Sequence, residues 1–219
     1  SLWDVIRYGV LEEGAITIYD PTAAFDDQFK YPVKPKNGNA QDPEFQTLLN
    51  GFFGSSEEVP VMDENDEFVY DDETGDQLFK TVVNEFTPSE IIRYELKEDW
   101  FFDKQRSVMD VRIIGIAPIV YGKNPETGDI MGTKTLFWLY FPECRYTFQN
   151  FFVYNGKNDA MRMSFDDLFW KRRFSSYIHK ESNVFDRDIS QPYDGIDALL
   201  ESERIKKEMF LIEHDVWNL

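Results

Sequence analysis

Ile92-Arg93-Tyr94-Glu95-Leu96-Lys97-Glu98-Asp99-Trp100-Phe101-Phe102-Asp103 opens the stretch from Ile91 to Phe141 that decides the fold. Ile92, Tyr94, Leu96, Trp100 and Phe102 alternate with Arg93, Glu95, Lys97 and Asp99, and Glu98 is the single misfit. Apolar side chains at every second position line one face of a β-strand. With Asp103 to Arg106 as a tight connection, Tyr94, Leu96 and Trp100 share a face with Met109, Val111 and Ile113. Apolar rows that match across the pair support this register. Asn124-Pro125-Glu126-Thr127-Gly128 makes the next turn, and the returning strand adds Leu136, Trp138 and Tyr140 to that face. Ile114, Ile116, Phe137, Leu139 and Phe141 make the opposite face apolar too. A sheet apolar on both sides must be covered on both, either by two helical layers or by one layer and a partner.

Outward from this meander the signals are helical. Ser1 to Val10 reads as a short helix with Leu2, Val5 and Ile6 on one face, ended by Gly9 or Gly14. Ala15 to Tyr19 reads as a strand running into the Asp20-Pro21 turn. Asp42 caps a brief helix from Pro43 to Asn50, with Gly51 as its stop. Thr87-Pro88-Ser89-Glu90 is a capping box, so one helical turn precedes the first long strand. Ser164-Phe165-Asp166-Asp167 predicts a helix continuing through Leu168, Phe169 and Phe174 to Ile178. A longer amphipathic helix follows from Ile196 to Asp215. The expected class is α+β: an antiparallel β-meander over about residues 91–141, packed with helices that include the C-terminal part, 164–219. The 219 residues fit one domain.

Composition bounds the chemistry. The 20 Phe, 11 Tyr and 5 Trp can fill a core without disulfides or metals. A formal charge of −18 argues against nucleic acid and anionic membrane surfaces as partners. Glu57 to Asp76 holds ten carboxylates and no Lys or Arg, and reads as an exposed hairpin or loop. Cys144 is the only cysteine, so an intrachain disulfide and a cysteine zinc site are excluded. No run of about 18 apolar residues is present to span a bilayer. Because the chain starts at Ser1 inside an amphipathic pattern, it reads as a fragment lacking its native N-terminal region.

Catalytic and metal signatures are weak. Counting from Asp63, an EF-hand register puts Phe68 at the glycine position and Thr74 at the bidentate glutamate position, so calcium is disfavoured in the acidic loop. Glu98 with Asp103 and Asp110 is a candidate acid–base pair; the competing reading satisfies Glu98 with an arginine such as Arg106 or Arg112. His179 and His214 lack the i, i+4 partner of a zinc helix. There is no G-x-S-x-G elbow, and Gly51-Phe52-Phe53-Gly54-Ser55 lacks the lysine of a phosphate loop. Lys171-Arg172-Arg173 is the one basic cluster, either a solvated face or one side of a contact with an acidic neighbour. No cofactor is expected. The interface candidates are Phe137, Leu139 and Phe141 on the second sheet face, and Lys171, Arg172 and Arg173.

Several words of the chain are distinctive. They include Leu2-Trp3-Asp4-Val5-Ile6, Gly14-Ala15-Ile16-Thr17-Ile18-Tyr19-Asp20, Lys97-Glu98-Asp99-Trp100-Phe101-Phe102-Asp103 and Arg112-Ile113-Ile114-Gly115-Ile116-Ala117-Pro118. Phe141-Pro142-Glu143-Cys144-Arg145, Ser164-Phe165-Asp166-Asp167-Leu168-Phe169, Arg173-Phe174-Ser175-Ser176-Tyr177-Ile178 and Lys180-Glu181-Ser182-Asn183 continue the pattern. Together they resemble the GldN/PorN family of the Bacteroidota gliding and type IX secretion machinery, from Leu2 to about Arg187. The resemblance implies a non-enzymatic periplasmic subunit of a ring beneath the outer membrane. Its implied partners are an outer-membrane lipoprotein of the GldK/PorK type, the periplasmic region of GldM/PorM and further copies of itself, close to peptidoglycan. A peptidoglycan- or carbohydrate-binding module is the alternative expectation, through exposed Trp and Tyr.

Overall fold

The computed structural model describes residues 1–22, 29–36, 38–61, 68–69, 77–106, 108–124, 128–154, 162–182, 188–190, 192–193 and 195–216. The chain falls into two compact units, one of residues 1–97 with 113–166, the other of residues 98–112 with 167–219.

In the first unit, helix α1 (Leu2–Arg7) starts on a reciprocal capping box between Ser1 and Asp4. It runs into a π-helical turn, Tyr8–Glu12. The wide turn lets both Ala15 and Ile16 donate their N–H groups to the Gly9 carbonyl. Gly9 is there for space: a Cβ would stand 2.5 Å from Ile16 Cδ1. Strand β1 (Ile18–Tyr19) follows, then α2 (Pro43–Phe52), with Asp42 accepting from the Glu44 N–H and Pro43 in the first turn. The helix passes through Gly51 and stops one residue beyond it. Strands β2 (Gly54–Pro60) and β3 (Phe79–Glu85) form an antiparallel ribbon with Gly54 opposite Glu85. The ribbon frames the acidic segment; most of it, including Asp63 and Thr74 of the EF-hand register, lies outside the described residues. Thr87 and Glu90 bond to each other before β4 (Ile91–Asp103), as the capping signal predicted, but the residues between form a turn and not the helical turn expected.

The meander is present, with one change that matters. Strand β5 (Val108–Lys123) lies beside β4 on one edge and pairs on the other with β6 (Ile130–Thr135) and then β7 (Trp138–Tyr140). Strand β7 continues the sheet to β1. The return strand is not continuous. Ile119 sits opposite Thr135 and Ile116 opposite Leu139, so three steps along β5 match four along the return. The extra residue is taken up between Thr135 and Trp138, where Leu136 and Phe137 are both buried. The chain then turns into α3 (Phe141–Asn150), which begins with Pro142 in its first turn. Phe141 is therefore helical, a correction to its place on the sheet. Short strands β8 (Phe152–Val153) and β9 (Met163–Ser164) pair before helix α4 (Phe165–Trp170) begins.

Both faces of the sheet are covered by the chain itself. Phe137 joins Trp3, Phe52 and Phe53, with ring centroids 6.1, 6.4 and 5.0 Å away. Trp3 donates its indole N–H to the Phe86 carbonyl at 2.8 Å. On the face of Gly115, Trp138 and Tyr140 the Phe29 ring is packed, in contact also with Tyr19. Gly115 makes room for it, since a Cβ there would lie 2.3 Å from Phe29 Cζ. Six consecutive residues of β5, Gly115 to Val120, are buried as a result.

The second unit holds the α4 (Phe165–Trp170) residues from Asp167 on, and α5 (Ile196–Val216). The helix expected through Phe174 to Ile178 is corrected here, because α4 ends at Trp170 and described residues 171–182 carry no helix.

If the Phe137 cluster is core, Phe137→Ala should cost about 3–5 kcal/mol in the isolated chain, with no partner present. Urea denaturation of Phe137→Ala and Phe137→Leu would check this, the leucine variant recovering most of the loss.

Candidate functional site

The structure separates the two groups of sequence-predicted interface residues. Phe137 and Leu139 are 0% exposed and Phe141 is 7% exposed. The second sheet face is thus no docking surface. Phe137 lies against Trp3, Phe52 and Phe53, and Phe141 packs on Phe148 at 6.1 Å. The sequence rightly demanded a cover for both faces; what it could not show is that Phe29, from a loop, supplies one of them.

Lys171, Arg172 and Arg173 do not form one basic face. Lys171 pairs with Asp167 one turn earlier in the chain, at 3.0 Å, and Arg173 is exposed. Arg172 has turned inward. The Arg172 N–H donates to the Phe169 carbonyl and the Arg173 N–H to the Leu168 carbonyl, the two bonds of a Schellman cap. Arg172 occupies the position that glycine usually takes, with φ of +48°. That left-handed backbone costs an L-residue about 1 kcal/mol. Its side chain offsets the cost: two guanidinium nitrogens hold Glu98 at 2.7 and 3.2 Å. The same group lies over Trp100 and Phe174, 5.6 and 5.2 Å from the ring centroids. The Trp100 indole N–H completes the cluster by donating to Glu98 at 3.1 Å. Without a glycine or proline to mark the stop, the sequence did not reveal this cap.

The candidate acid–base carboxylates are all engaged. Glu98 is held by Arg172, neither Arg106 nor Arg112 serving it. Arg106 instead bridges Asp103 and Asp110, at 2.7 and 2.5 Å. Arg112 lies over the Phe101 ring. Hydrogen bonds from Arg106, with backbone N–H groups behind them, hold the Asp103 and Asp110 carboxyls below the ordinary aspartate value. A general acid needs the opposite shift. In the first unit Arg145 and Gln149 together hold the buried Asp166, so this carboxylate serves packing between α3 and the start of α4. Cys144 is buried, and burial pushes its thiol well above the ordinary range, away from the reactive thiolate. Among the described residues no group of three or more His, Cys, Asp and Glu is placed to hold a metal ion. Among them, too, no helix is long and apolar enough to cross a membrane.

Large aromatic and aliphatic side chains also stand exposed: Trp170 at 77%, Tyr154 at 90% and a row of residues on α5. Exposed apolar surface of this kind is what contacts with other molecules use. A family model described as gliding motility associated protein GldN matches residues 1–218. The chain belongs to the GldN family. A search of curated proteins returns no match. The family match extends past Arg187, where the distinctive words end, and takes in α5. GldN is thus a gliding-motility component by description, and that description names no reaction.

Two predictions follow from the arginine contacts. Arg172→Gly should be more stable than Arg172→Ala by about 1 kcal/mol, because glycine accepts the left-handed backbone, while both fall about 1–3 kcal/mol below wild type through loss of the Glu98 pair. Urea midpoints of the three proteins test this ordering. Asp103 and Asp110 have lowered folded values, so their contribution is complete above the unfolded aspartate value and disappears as pH falls through the folded ones. The stability gap between wild type and Arg106→Met should therefore hold constant above about pH 5 and close as pH falls below about 4. Thermal melts across that range would show it.

Proposed function

We propose that this chain is a non-enzymatic structural subunit of the periplasmic ring of the type IX secretion and gliding machinery. In this reading it sits on the inner side of the outer membrane, bound to a lipoprotein of the GldK/PorK type and reached from below by the periplasmic region of GldM/PorM. The family match over residues 1–218 carries the proposal. Two features of the molecule support it. The carboxylates that an acid–base site would need are tied to Arg172 and Arg106. Large aromatic and aliphatic side chains stand in solvent on both units, as expected of a subunit that buries surface against neighbours.

Light scattering on a sizing column, with the chain alone and then co-expressed with the lipoprotein, tests the reading. A stable heteromeric species is expected; two separate peaks would count against it. The exposure of Trp170 and Tyr154 favours a second reading, a peptidoglycan-binding module that stacks aromatics on sugar rings. Purified sacculi would then retain the wild type and release the Trp170→Ala variant.

A further inference from the structure

Among the described residues, helix α5 buries one flank within the chain. Ser202 and Ile205 are buried at 1% and 6% exposure, and the Ser202 hydroxyl accepts from the Ile178 N–H. The other flank presents Leu199, Leu200, Phe210 and Leu211, each 46% to 65% exposed, with Glu203 and Lys207 between them. Single exposed leucines are ordinary, but a row along one helix face has a use. Leu200, Glu203, Lys207 and Phe210 follow at intervals of three, four and three residues. That is the spacing of the seam between two paired helices.

The seam is complementary to itself when reversed. Turn a second α5 end for end about an axis level with Ile205, and Leu200 faces Phe210 while Leu199 faces Leu211. Glu203 then faces Lys207, twice, on either side of the axis. Parallel pairing in register would set Glu203 against Glu203 and Lys207 against Lys207, which like charges oppose. The neighbouring charges leave these two residues available. Arg204 is bound to Glu201 and Glu208 along its own helix. The Glu203–Lys206 contact, at 3.2 Å, is an exposed pair with the glutamate 70% accessible, of the kind that holds a side chain only weakly.

We propose that α5 pairs antiparallel with α5 of a second copy of this chain, packing Leu199 and Leu200 against Leu211 and Phe210 around two Glu203–Lys207 ion pairs. The contact is isologous, so it closes on two copies and does not propagate a ring. It stands apart from the ring reading and survives that reading's failure. The seam from Leu199 to Leu211 is about 18 Å long, shorter than a standard stable interface needs. The pair is accordingly reversible, with dissociation in roughly the micromolar range.

Sedimentation equilibrium of the full chain over a wide concentration range tests this, with the lipoprotein absent. Wild type is expected to follow a monomer–dimer equilibrium. Glu203→Lys and Lys207→Glu should each weaken the dimer about tenfold or more, and the charge-swapped double variant should recover to within about threefold of wild type. Both positions are solvent-facing, so circular dichroism should be unchanged throughout. Leu200→Cys with Phe210→Cys should form an interchain disulfide under mild oxidation, whereas Leu200→Cys alone should not; Cys144 is buried and takes no part. A chain that stays monomeric overturns the proposal. So does a dimer indifferent to both charge reversals, which another surface would then hold, or a cross-link through Leu200→Cys alone, which would mean parallel pairing.

Discussion

The first unit depends on the burial of Trp3 among Phe53 and Phe137, with its indole N–H satisfied by the Phe86 carbonyl. Taking an aromatic of this size out of water removes roughly 150–250 Å², worth of order 4–6 kcal/mol at about 25 cal/mol per Å². The indole N–H would forfeit part of that gain if it were buried without an acceptor. Its acceptor is held in turn, because the Phe86 N–H donates to the Phe53 carbonyl at 2.8 Å. One cluster thus ties together the N-terminal helix, the end of α2, the end of β3 and the bulge on the return strand. Phe137, at the bulge, is the member that the return strand contributes to the cluster.

In the second unit a comparable role falls to Arg172. A left-handed arginine closing a helix is unfavourable by itself. It persists because its side chain is the partner of Glu98 and the lid over Trp100 and Phe174. Glu98 was the misfit in the alternating strand pattern, and its exception now has a cause: an arginine 74 residues away needs a carboxylate there. The residues that looked most like chemistry are therefore devices of assembly. That agrees with the structural role proposed above for this GldN-family chain.

The surfaces left over divide by chemistry. Acidic residues crowd the segment framed by β2 and β3, while α5 carries an apolar row with one charge of each sign at its centre. A strongly negative chain repels its own copies at long range. Self-pairing through α5 then requires local complementarity strong enough to offset that repulsion, and the Glu203–Lys207 crossing supplies it.

Local signals in the sequence were sufficient for what local physics controls. The period-2 alternation of β4, the Asp42 cap of α2, the Thr87–Glu90 turn and the amphipathic run of α5 were all legible, because each depends on neighbours a few residues apart. The distinctive words, Leu2-Trp3-Asp4-Val5-Ile6 among them, also carried the family. Other features were hidden because their causes lie far along the chain. Phe141-Pro142-Glu143 held a helix-start signal that the strand pattern before it outweighed. Phe29 covers a sheet face more than 80 residues away, and only the tertiary structure shows that Gly115 leaves the space for it. Arg172 ends α4 without glycine or proline, since the contact that stabilises its backbone comes from Glu98. The sequence determined the long strands, the capped helix α2, the amphipathic helix α5 and the family to which they belong. Packing alone decided which apolar face is core and which is surface, because burial is a property of what arrives from elsewhere in the chain.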